Sequence, residues 1–150
     1  MNKKILGFAI IVLLAFACKK EKTDQAAIDK AILLQYIADS SLTVDSSTSG
    51  LYYSIADTGT GLSPNSSSYV TVHYKGYFTN GTIFDQSSGT PIKGFLTSFI
   101  AGWQEGLPKI KKGGKIKLLI PSALAYGENG NSAIPGNTVL IFDVELLNVE

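Results

Sequence analysis

The chain has 150 residues, of which 45% are hydrophobic and 17% charged, and glycine occurs 15 times. This length suffices for one domain with its own core, and the composition excludes a long disordered chain. The formal net charge is +1 and the basic residues are all lysines, so a nucleic-acid partner is not expected.

The N-terminal segment, residues 1–17, has the pattern of a secretory signal. Two lysines precede an apolar run from Ile5 to Ala17. As a helix this run would be about 20 Å long, shorter than the roughly 30 Å core of a bilayer. Cys18 follows directly, which resembles a bacterial lipoprotein signal, in which the cysteine becomes the lipidated first residue. We therefore expect an exported bacterial lipoprotein, membrane-anchored through Cys18 on the periplasmic side or at the outer membrane. A plain cleaved signal and an uncleaved anchor are the alternatives.

Residues 18–23 are expected to form a charged tether, and residues 24–49 an N-terminal helix followed by a linker. Thr23 or Asp24 can cap the helix. Its apolar residues recur at helical spacing and predict an amphipathic helix; they are Ala27, Ile28, Ala31, Ile32, Leu34 and Ile37. The helix either packs on its own domain or contacts a partner, including a second copy of the chain. The polar residues 45–50 are expected to be the linker.

From residue 50 onwards the pattern changes to strands. Apolar and alternating runs predict them over 51–56, 69–79, 115–120 and 139–149. A short helix is predicted over 102–107, ended by Pro108. Several antiparallel strands with one short helix are typical of an α+β domain, in which a twisted sheet wraps on the helix. This domain is expected to span residues 50–150.

The stretch "VTVHYKGYFTNGTIFD" (residues 70–85) predicts a β-hairpin. Asn80-Gly81 favours a two-residue type I′ turn, in which both central residues have positive φ. Such a turn pairs Phe78 with Ile83, and Gly76 with Asp85. Side chains alternate along a strand, so the core face is expected to carry Val70, Val72, Tyr74, Gly76 and Phe78, and the outer face Thr71, His73, Lys75 and Tyr77.

Asp85 is expected on the core face, diagonal to Tyr74 and opposite a glycine that leaves room for it. A carboxylate that faces a core is costly unless it is hydrogen-bonded, and the Tyr74 hydroxyl is the expected donor. Phe84 and Asp85 can line one pocket only if the strand bulges or ends there. His73 is the only histidine and the chain has one cysteine, so neither a multi-histidine metal site nor an internal disulfide is expected.

Four motifs follow one another along the last two thirds of the chain: "VTVHYKGYFTNGTIFD", "FIAGWQEGL", "IPSALAYGENG" and "IPGNTVLIFDVELL". Residues 50–150 thereby resemble the FKBP family of peptidyl-prolyl cis-trans isomerases, in which such motifs occur in this order. The resemblance implies a strongly curved antiparallel β-sheet around a short α-helix, with a pocket between them. The residues that it assigns to catalysis are Asp85, Ile100, Trp103 and Tyr126, and those that it assigns to substrate binding are Tyr74, Phe84, Ile92, Phe99, Ile134 and Phe142.

The resemblance also implies a reaction. Trp103 would form the pocket floor, and the Ile100 N–H and the Tyr126 hydroxyl would donate to a bound carbonyl oxygen. X–Pro bonds of exported proteins would be isomerised without a nucleophile, metal or cofactor. The alternative is a non-catalytic chaperone or binding module that uses the same pocket or the N-terminal helix. Ile92 stands where the family usually has phenylalanine, so one wall of the pocket would be thinner.

Overall fold

A computed structural model describes residues 24–150. The predicted signal segment, Cys18 and the charged tether lie outside the described residues. The helices are α1 (Gln25–Asp39) and α2 (Ala101–Gly106), and 3-10 turns cover Leu96–Ser98, Leu107–Lys109 and Ser122–Leu124. The strands are β1 (Asp45–Ser46), β2 (Tyr52–Asp57), β3 (Tyr69–Tyr77), β4 (Ile83–Gln86), β5 (Ile92–Phe95), β6 (Lys115–Ile120) and β7 (Leu140–Val149). Within residues 24–150, neither helix has the length and apolar character needed to cross a membrane.

These strands form one antiparallel sheet in the order β1-β2-β6-β7-β3-β4, with β5 also paired to β3. The apolar strand β7 lies at its centre, between β6 and β3, and is buried along most of its length. Bulges interrupt the ladders between β2 and β6, β3 and β4, and β3 and β7. Because bulges bend strands and increase their twist, this sheet curves. The predicted α+β fold with a curved antiparallel sheet is confirmed.

The main core lies between the sheet and α2. Trp103 of α2 is buried against strand residues that include Leu118 and Phe142. Gly106 lets the helix approach β6 closely, because a Cβ at this position would lie 2.4 Å from Leu118 Cδ2. Pro108 lies within the 3-10 turn that extends α2, since its fixed φ suits the first turn of a helical segment. The predicted short helix is therefore the element around which the sheet wraps.

Helix α1 packs on the outer face of the sheet. Its N-cap is Asp24, whose carboxylate accepts a hydrogen bond from the Ala27 N–H (3.4 Å). Leu33 is fully buried in a second apolar cluster, together with Tyr77, Leu119, Val139 and Ile141 of the sheet side. The interpretation that the N-terminal helix packs on its own domain is confirmed.

The apolar stripe predicted for α1 is not its buried face. Ile28 and Ile32 are each 38% exposed and Leu34 is 45% exposed. The residues of α1 that are buried are Asp29 and Leu33. Periodicity shows which residues share a face, but the surface that the helix meets decides which face is used. Here the sheet offers an apolar site for Leu33, and the turn after β6 offers hydrogen-bond donors for Asp29.

The polar stretch 45–50, predicted to be a linker, takes part in the fold. Its first residues form β1, which pairs with β2 at the edge of the sheet. The Ser47 and Ser49 hydroxyls donate to the two carboxylate oxygens of Glu105 on α2, the second at 2.7 Å. A strand of two residues is too short to show an alternating pattern. The polar residues that follow it make the hydrogen bonds to Glu105. The N-terminal segment is thus attached to the helix that carries Trp103.

The hairpin turn differs from the type I′ prediction. The Gly81 N–H donates to the Phe78 carbonyl (2.9 Å), and the Phe78 N–H donates to the Thr82 carbonyl (2.9 Å). Only Gly81 of the Asn-Gly pair has positive φ, +85°. This is the pattern of a three-residue loop with glycine in the left-handed region. Phe78 therefore pairs with Thr82 and not with Ile83.

The side chains on the outer face of β3 are more buried than the alternation of residues along the strand predicts. Thr71 and Tyr77 are only 7% and 9% exposed. His73 is half-buried, and its Nδ1 lies 2.9 Å from the Ser87 hydroxyl. Burial, followed by hydrogen bonding to Tyr36 of α1, raises the pKa of Tyr77. The predicted direction of these side chains holds, but α1 and the segment after β4 supply cover that a strand pattern cannot show.

Candidate active site

A cavity of about 260 Å³ opens between the sheet, α2 and the loop that follows β6. Its lining consists of Tyr74, Phe84, Asp85, Ile92, Ser98, Phe99, Ile100, Trp103, Tyr126 and Phe142. These include every residue with a predicted catalytic or substrate-binding role except Ile134. Ile134 is 3% exposed and packs in the main core. Two hydrogen bonds close a tight loop here. The Ile134 N–H donates to the side-chain oxygen of Asn131, and the Asn131 N–H donates to the Ile134 carbonyl. This loop turns Ile134 inward.

Aromatic rings form the floor and walls of the cavity. Trp103 is the most buried of the lining side chains, at 3% exposed. It meets Tyr74 and Phe142 edge to face, each with ring centroids 5.3 Å apart, and Phe99 at 5.1 Å. Such pairs contribute about 0.5–1.5 kcal/mol each beyond their burial. The rings therefore brace one another around an apolar space. Within the described residues, the buried Trp103 indole N–H has no hydrogen-bond partner.

A β-bulge brings Phe84 and Asp85 into the same cavity. Gly76 pairs with Asp85, whereas Tyr77 pairs with Ile83, so Phe84 is the extra residue on β4. A bulge re-aims the side chains beside it, and two successive residues can then face one pocket. From the sequence, both residues could line one pocket only if β4 bulged or ended here, and the strand does bulge.

Gly76 makes room for rings and not only for the carboxylate. A Cβ at this position would lie 2.6 Å from Phe142 Cε1 and 2.7 Å from Phe84 Cζ. These two rings meet edge to face above it, with centroids 5.5 Å apart. The sequence predicted space for Asp85 opposite this glycine, and the structure shows that the aromatic wall needs the same space.

The Tyr74 hydroxyl donates a 2.6 Å hydrogen bond to Oδ2 of Asp85, as predicted. Burial raises the pKa of Tyr74, and the bond to Asp85 raises it further. Asp85 lies on the predicted face of the hairpin, toward the cavity, but it is exposed and not buried in the core. It lies at the mouth of the cavity, where water reaches the carboxylate and the cost of burying a charge does not arise.

Tyr126 lies in the loop after β6 and is 39% exposed. Partial burial raises the pKa of its hydroxyl, and the Asp85 charge raises it further. The phenol therefore keeps its proton around neutral pH. The next residue, Gly127, has φ of +64°, a left-handed conformation that glycine adopts without strain. This turn presents Tyr126 to the cavity as a hydrogen-bond donor.

A second donor is the backbone N–H of Ile100. Ile100 is the N-cap of α2, and its carbonyl accepts from the Trp103 N–H (2.9 Å). Amides at the start of a helix have no carbonyl within the helix to bond, and no backbone carbonyl of the described residues accepts from the Ile100 N–H. The Gln104 side chain donates to the Phe99 carbonyl (2.7 Å) and fixes the chain just before it.

Ser98 is the one lining residue that the sequence did not single out. It is exposed and ends the 3-10 turn Leu96–Ser98. Serine is common in turns because its hydroxyl can hydrogen-bond to nearby backbone groups, so it does not by itself indicate a site. Its adjacency to Phe99 was the only signal that could have placed it at the cavity.

A larger open groove of about 550 Å³ crosses the outer face of the sheet. Its charged groups are paired across strands: Lys75 with Asp143 (3.9 Å), Lys115 with Glu145 (3.5 Å) and Lys117 with Asp143. Residues 24–150 contain no group of three His, Cys, Asp or Glu side chains placed to hold a metal ion. Because its charges already satisfy one another, this groove is a weaker candidate site than the aromatic cavity.

Comparison with known proteins identifies the family. The sequence model described as "FKBP-type peptidyl-prolyl cis-trans isomerase" matches residues 61–147, a range that contains the whole lining of the cavity. The chain belongs to the FKBP family. The sequence-based resemblance to FKBP proteins is thereby confirmed.

Relatives with names and solved structures show the same likeness. The FKBP-type peptidyl-prolyl cis-trans isomerase FkpA of Escherichia coli (strain K12) is 50% identical over 109 residues, which are 71% of this chain and 40% of that protein. The chain thus spans less than half the length of the curated relatives it matches. The crystal structure of FkpA from Escherichia coli has a TM-score of 0.76 and 45% identity, covering 83% of this chain and 61% of that one. A peptidyl-prolyl cis-trans isomerase from Pseudomonas syringae pv. tomato has a TM-score of 0.75 and 32% identity, covering 84% and 93%.

Proposed function

We propose that this FKBP-family chain catalyses the cis–trans isomerisation of X–Pro peptide bonds. The observation that carries the proposal is the cavity with Trp103 at its floor, aromatic walls, and hydrogen-bond donors at Tyr126 and Ile100. An apolar ring such as that of proline fits a surface of this kind, and a carbonyl oxygen beside the ring needs such donors. Family membership and the names of the relatives support the same activity.

The energetics of the reaction explain why such a cavity suffices. Rotation about a peptide bond crosses a barrier of about 20 kcal/mol because amide resonance is lost midway. The twisted amide is less polar across its C–N bond than the planar amide. An apolar, water-excluding cavity therefore disfavours the planar ground state relative to the twisted state, and a shape that fits the twisted peptide binds the transition state best. Each tenfold acceleration requires about 1.4 kcal/mol.

The residues that line the cavity would have different roles in the reaction. Trp103 supports the proline ring, and the walls that enclose it are Tyr74, Phe84, Ile92, Phe99 and Phe142. The Tyr126 hydroxyl and the Ile100 N–H would donate to a carbonyl oxygen of the bound peptide beside the rotating bond, and hold the peptide in the twisted conformation that the cavity fits. Asp85, held by Tyr74, places a negative charge at the mouth, where an amide that has lost resonance has an electron-poor carbonyl carbon.

The test is isomerisation of a proline-containing peptide by the purified chain without added metal. We expect the observed rate to rise in proportion to protein concentration, and a chelator to leave it unchanged. A refolding reaction limited by proline isomerisation gives an independent measurement. No acceleration in either assay at any protein concentration would reject the isomerase.

A second function, polypeptide binding without catalysis, is favoured by one observation. Ile28, Ile32 and Leu34 of α1 are exposed and offer an apolar surface outside the cavity, to a client polypeptide or to a second copy of the chain. Trp103 is the only tryptophan of the chain, so its fluorescence reports occupancy of the cavity. Binding of a proline peptide without rate acceleration would support this second function. Sedimentation as a dimer that Ile32→Ser abolishes would show instead that the α1 surface contacts a second copy of the chain.

We further propose that the protein is an exported lipoprotein anchored through Cys18. The support is the sequence pattern of residues 1–18, and it implies that the substrates are proline-containing segments of exported proteins. Residues 50–150 would then be the isomerase unit, tethered by residues 18–23. Residues 24–49 pack against this unit through α1 and β1, so we expect them to affect the site.

A further inference from the structure

Asp29 of α1 is a buried carboxylate outside the cavity. It is 1% exposed, and the other buried polar residues of the described chain are Ser68, Thr71 and Ser122, at 7%, 7% and 2%. Oδ2 of Asp29 accepts hydrogen bonds from the Ser122 N–H (2.7 Å) and the Ser122 hydroxyl (2.6 Å). Oδ1 accepts from the Gln25 side chain (2.7 Å). A buried carboxylate is tolerated when it is hydrogen-bonded in this way, and here its principal partner is a single distant residue.

Ser122 in turn holds the backbone on both sides of Tyr126. The Ser122 carbonyl accepts from the Ala125 N–H (3.0 Å) and from the Gly127 N–H (2.8 Å). The Gly127 carbonyl accepts from the Asn137 N–H (2.8 Å). The residues that flank Tyr126 are thus attached to Ser122, and Ser122 is attached to Asp29. Hydrogen bonds therefore connect α1, through Ser122, to the two residues that flank Tyr126.

The burial of this series makes it consequential. Without the Asp29 carboxylate, the Ser122 N–H and hydroxyl would lose their partner at a site that is 2% exposed. Buried donors without partners are costly, and the turn Ser122–Leu124 would shift to reach water or another acceptor. Tyr126 would move with it, because the same turn fixes its neighbours.

We propose that Asp29 is a positioning residue for the active site: by holding Ser122, it fixes the loop that presents Tyr126. Helix α1 contributes no lining residue, yet it would set the geometry of a donor to the substrate. This inference rests on the proposed isomerase function, because the group that it positions is assigned a role in that reaction.

The test compares four variants of the full chain. Asp29→Ala removes both bonds to Ser122, Asp29→Asn keeps one oxygen as acceptor, and Ser122→Ala removes only the hydroxyl bond. Asp39→Ala is the matched control, because Asp39 is an exposed carboxylate of the same helix. We expect kcat/KM to fall by roughly threefold to thirtyfold in Asp29→Ala, the scale of a small misplacement of a catalytic group. Asp29→Asn and Ser122→Ala should lose less, and Asp39→Ala should match the wild type.

Hydrogen exchange separates positioning from general stability. Asp29→Ala should speed exchange at the Ala125 and Gly127 amides, while amides of the β6–β7 ladder stay protected. A purely structural role would lower the unfolding temperature and speed exchange throughout, without changing kcat/KM at a temperature where the variant is folded. That result, or unchanged exchange at Ala125 and Gly127, would overturn the proposal. If Asp29→Ala does not fold, Ser122→Ala answers the same question.

A double substitution identifies the group through which Asp29 acts. If Asp29 acts through the Tyr126 hydroxyl, Asp29→Ala should cost much less on a Tyr126→Phe background than in the wild type, because coupled residues are not additive. Equal losses on the two backgrounds would overturn that route. A wild-type chain with no isomerase activity would reject the proposed function, whereas exchange at Gly127 would still decide whether Asp29 holds the loop.

Discussion

Tyr74 on β3 and Asp85 on β4 are joined by a 2.6 Å hydrogen bond at the mouth of the aromatic cavity. The bond can form because Gly76 pairs with Asp85, which places the carboxylate diagonal to Tyr74. Tyr74 also packs edge-on against the Trp103 ring. This pair therefore joins the exposed rim of the cavity to its buried floor, and activity should depend on it.

Asp85→Leu should lower kcat/KM by a factor of several to a hundred. This corresponds to about 1–3 kcal/mol, the range for a hydrogen bond to a charged group. The free energy of unfolding should change little, because Asp85 is exposed and substitutions at exposed sites are usually small in effect. Peptide isomerisation and thermal unfolding of the same preparation measure the two quantities.

His73→Ala is the matched control for this substitution, because His73 lies on the same hairpin but on the other face of the sheet. Its contact is with Ser87, which also bonds the Tyr74 backbone and would keep that bond. We expect kcat/KM within about twofold of the wild type, with at most a small loss of stability. Equal losses in the two variants, or a larger loss in His73→Ala, would show that the faces of β3 are assigned the wrong way round.

Gly76→Ala should destabilise the protein by about 1–3 kcal/mol, the usual cost of overpacking, and should also reduce activity. The new Cβ would lie 2.6 Å and 2.7 Å from the Phe142 and Phe84 rings, so the aromatic wall must shift. Gly94→Ala is the control, because its Cβ would meet only the Phe99 ring, at 3.2 Å or more. Denaturant unfolding should rank Gly76→Ala as clearly worse than Gly94→Ala, and the reverse order would contradict this account of the wall.

Isomerase activity should be flat from about pH 7 to pH 9, because the pKa values of Tyr74 and Tyr126 are raised from an ordinary value of about 10. Burial is the main cause at both residues, and Asp85 adds to it. The folded protein keeps these protons where an unfolded chain releases them. Their contribution to stability is therefore complete below about pH 10 and is lost as pH rises through the raised pKa values.

The measurement is kcat/KM against pH, with thermal unfolding on either side of pH 10. Tyr74→Phe should lose less stability than the wild type between about pH 9 and pH 11, because it has no proton to release at this position. An activity loss with a midpoint below pH 9, absent in Tyr126→Phe, would mean that the pKa of the Tyr126 hydroxyl is lowered and not raised.

Cys18→Ser should release the protein from the membrane fraction or stop its processing, if Cys18 carries the lipid. Membrane fractionation of cells that express each form measures this, and Ser41→Ala, an exposed site within the described part of the chain, serves as the control. A protein that fractionates identically with and without Cys18 would exclude the lipid anchor, and would leave the assignment of the cavity unchanged.

Much of the sheet and of the cavity follows from the sequence alone. Apolar runs predict β6 with its observed bounds and β7 to within one residue, because strands buried at the centre of a sheet are continuously apolar. The resemblance to FKBP motifs identifies the cavity residues other than Ser98. Pairing of Gly76 with Asp85 also follows from the hairpin pattern, although the turn and the bulge that produce it do not.

Only the tertiary structure decided how the hairpin closes. Asn80-Gly81 is compatible with both a two-residue and a three-residue loop, since each needs a residue with positive φ. The longer loop shifts the pairing by one residue, and the bulge at Phe84 shifts it back. Packing of Phe84 against Phe78 and Phe142 accompanies this arrangement, and the contact with Phe142 arises only when β7 lies beside β3.

The role of α1 was the least predictable part. Its periodic apolar residues are mostly exposed, whereas its buried contacts include a hydrogen bond between Asp29 and Ser122, 93 residues apart. A hydrogen bond between such distant residues produces no period or spacing in one sequence. It contributes to stability because water is excluded from both groups, and that exclusion exists only after the helix and the loop have come together.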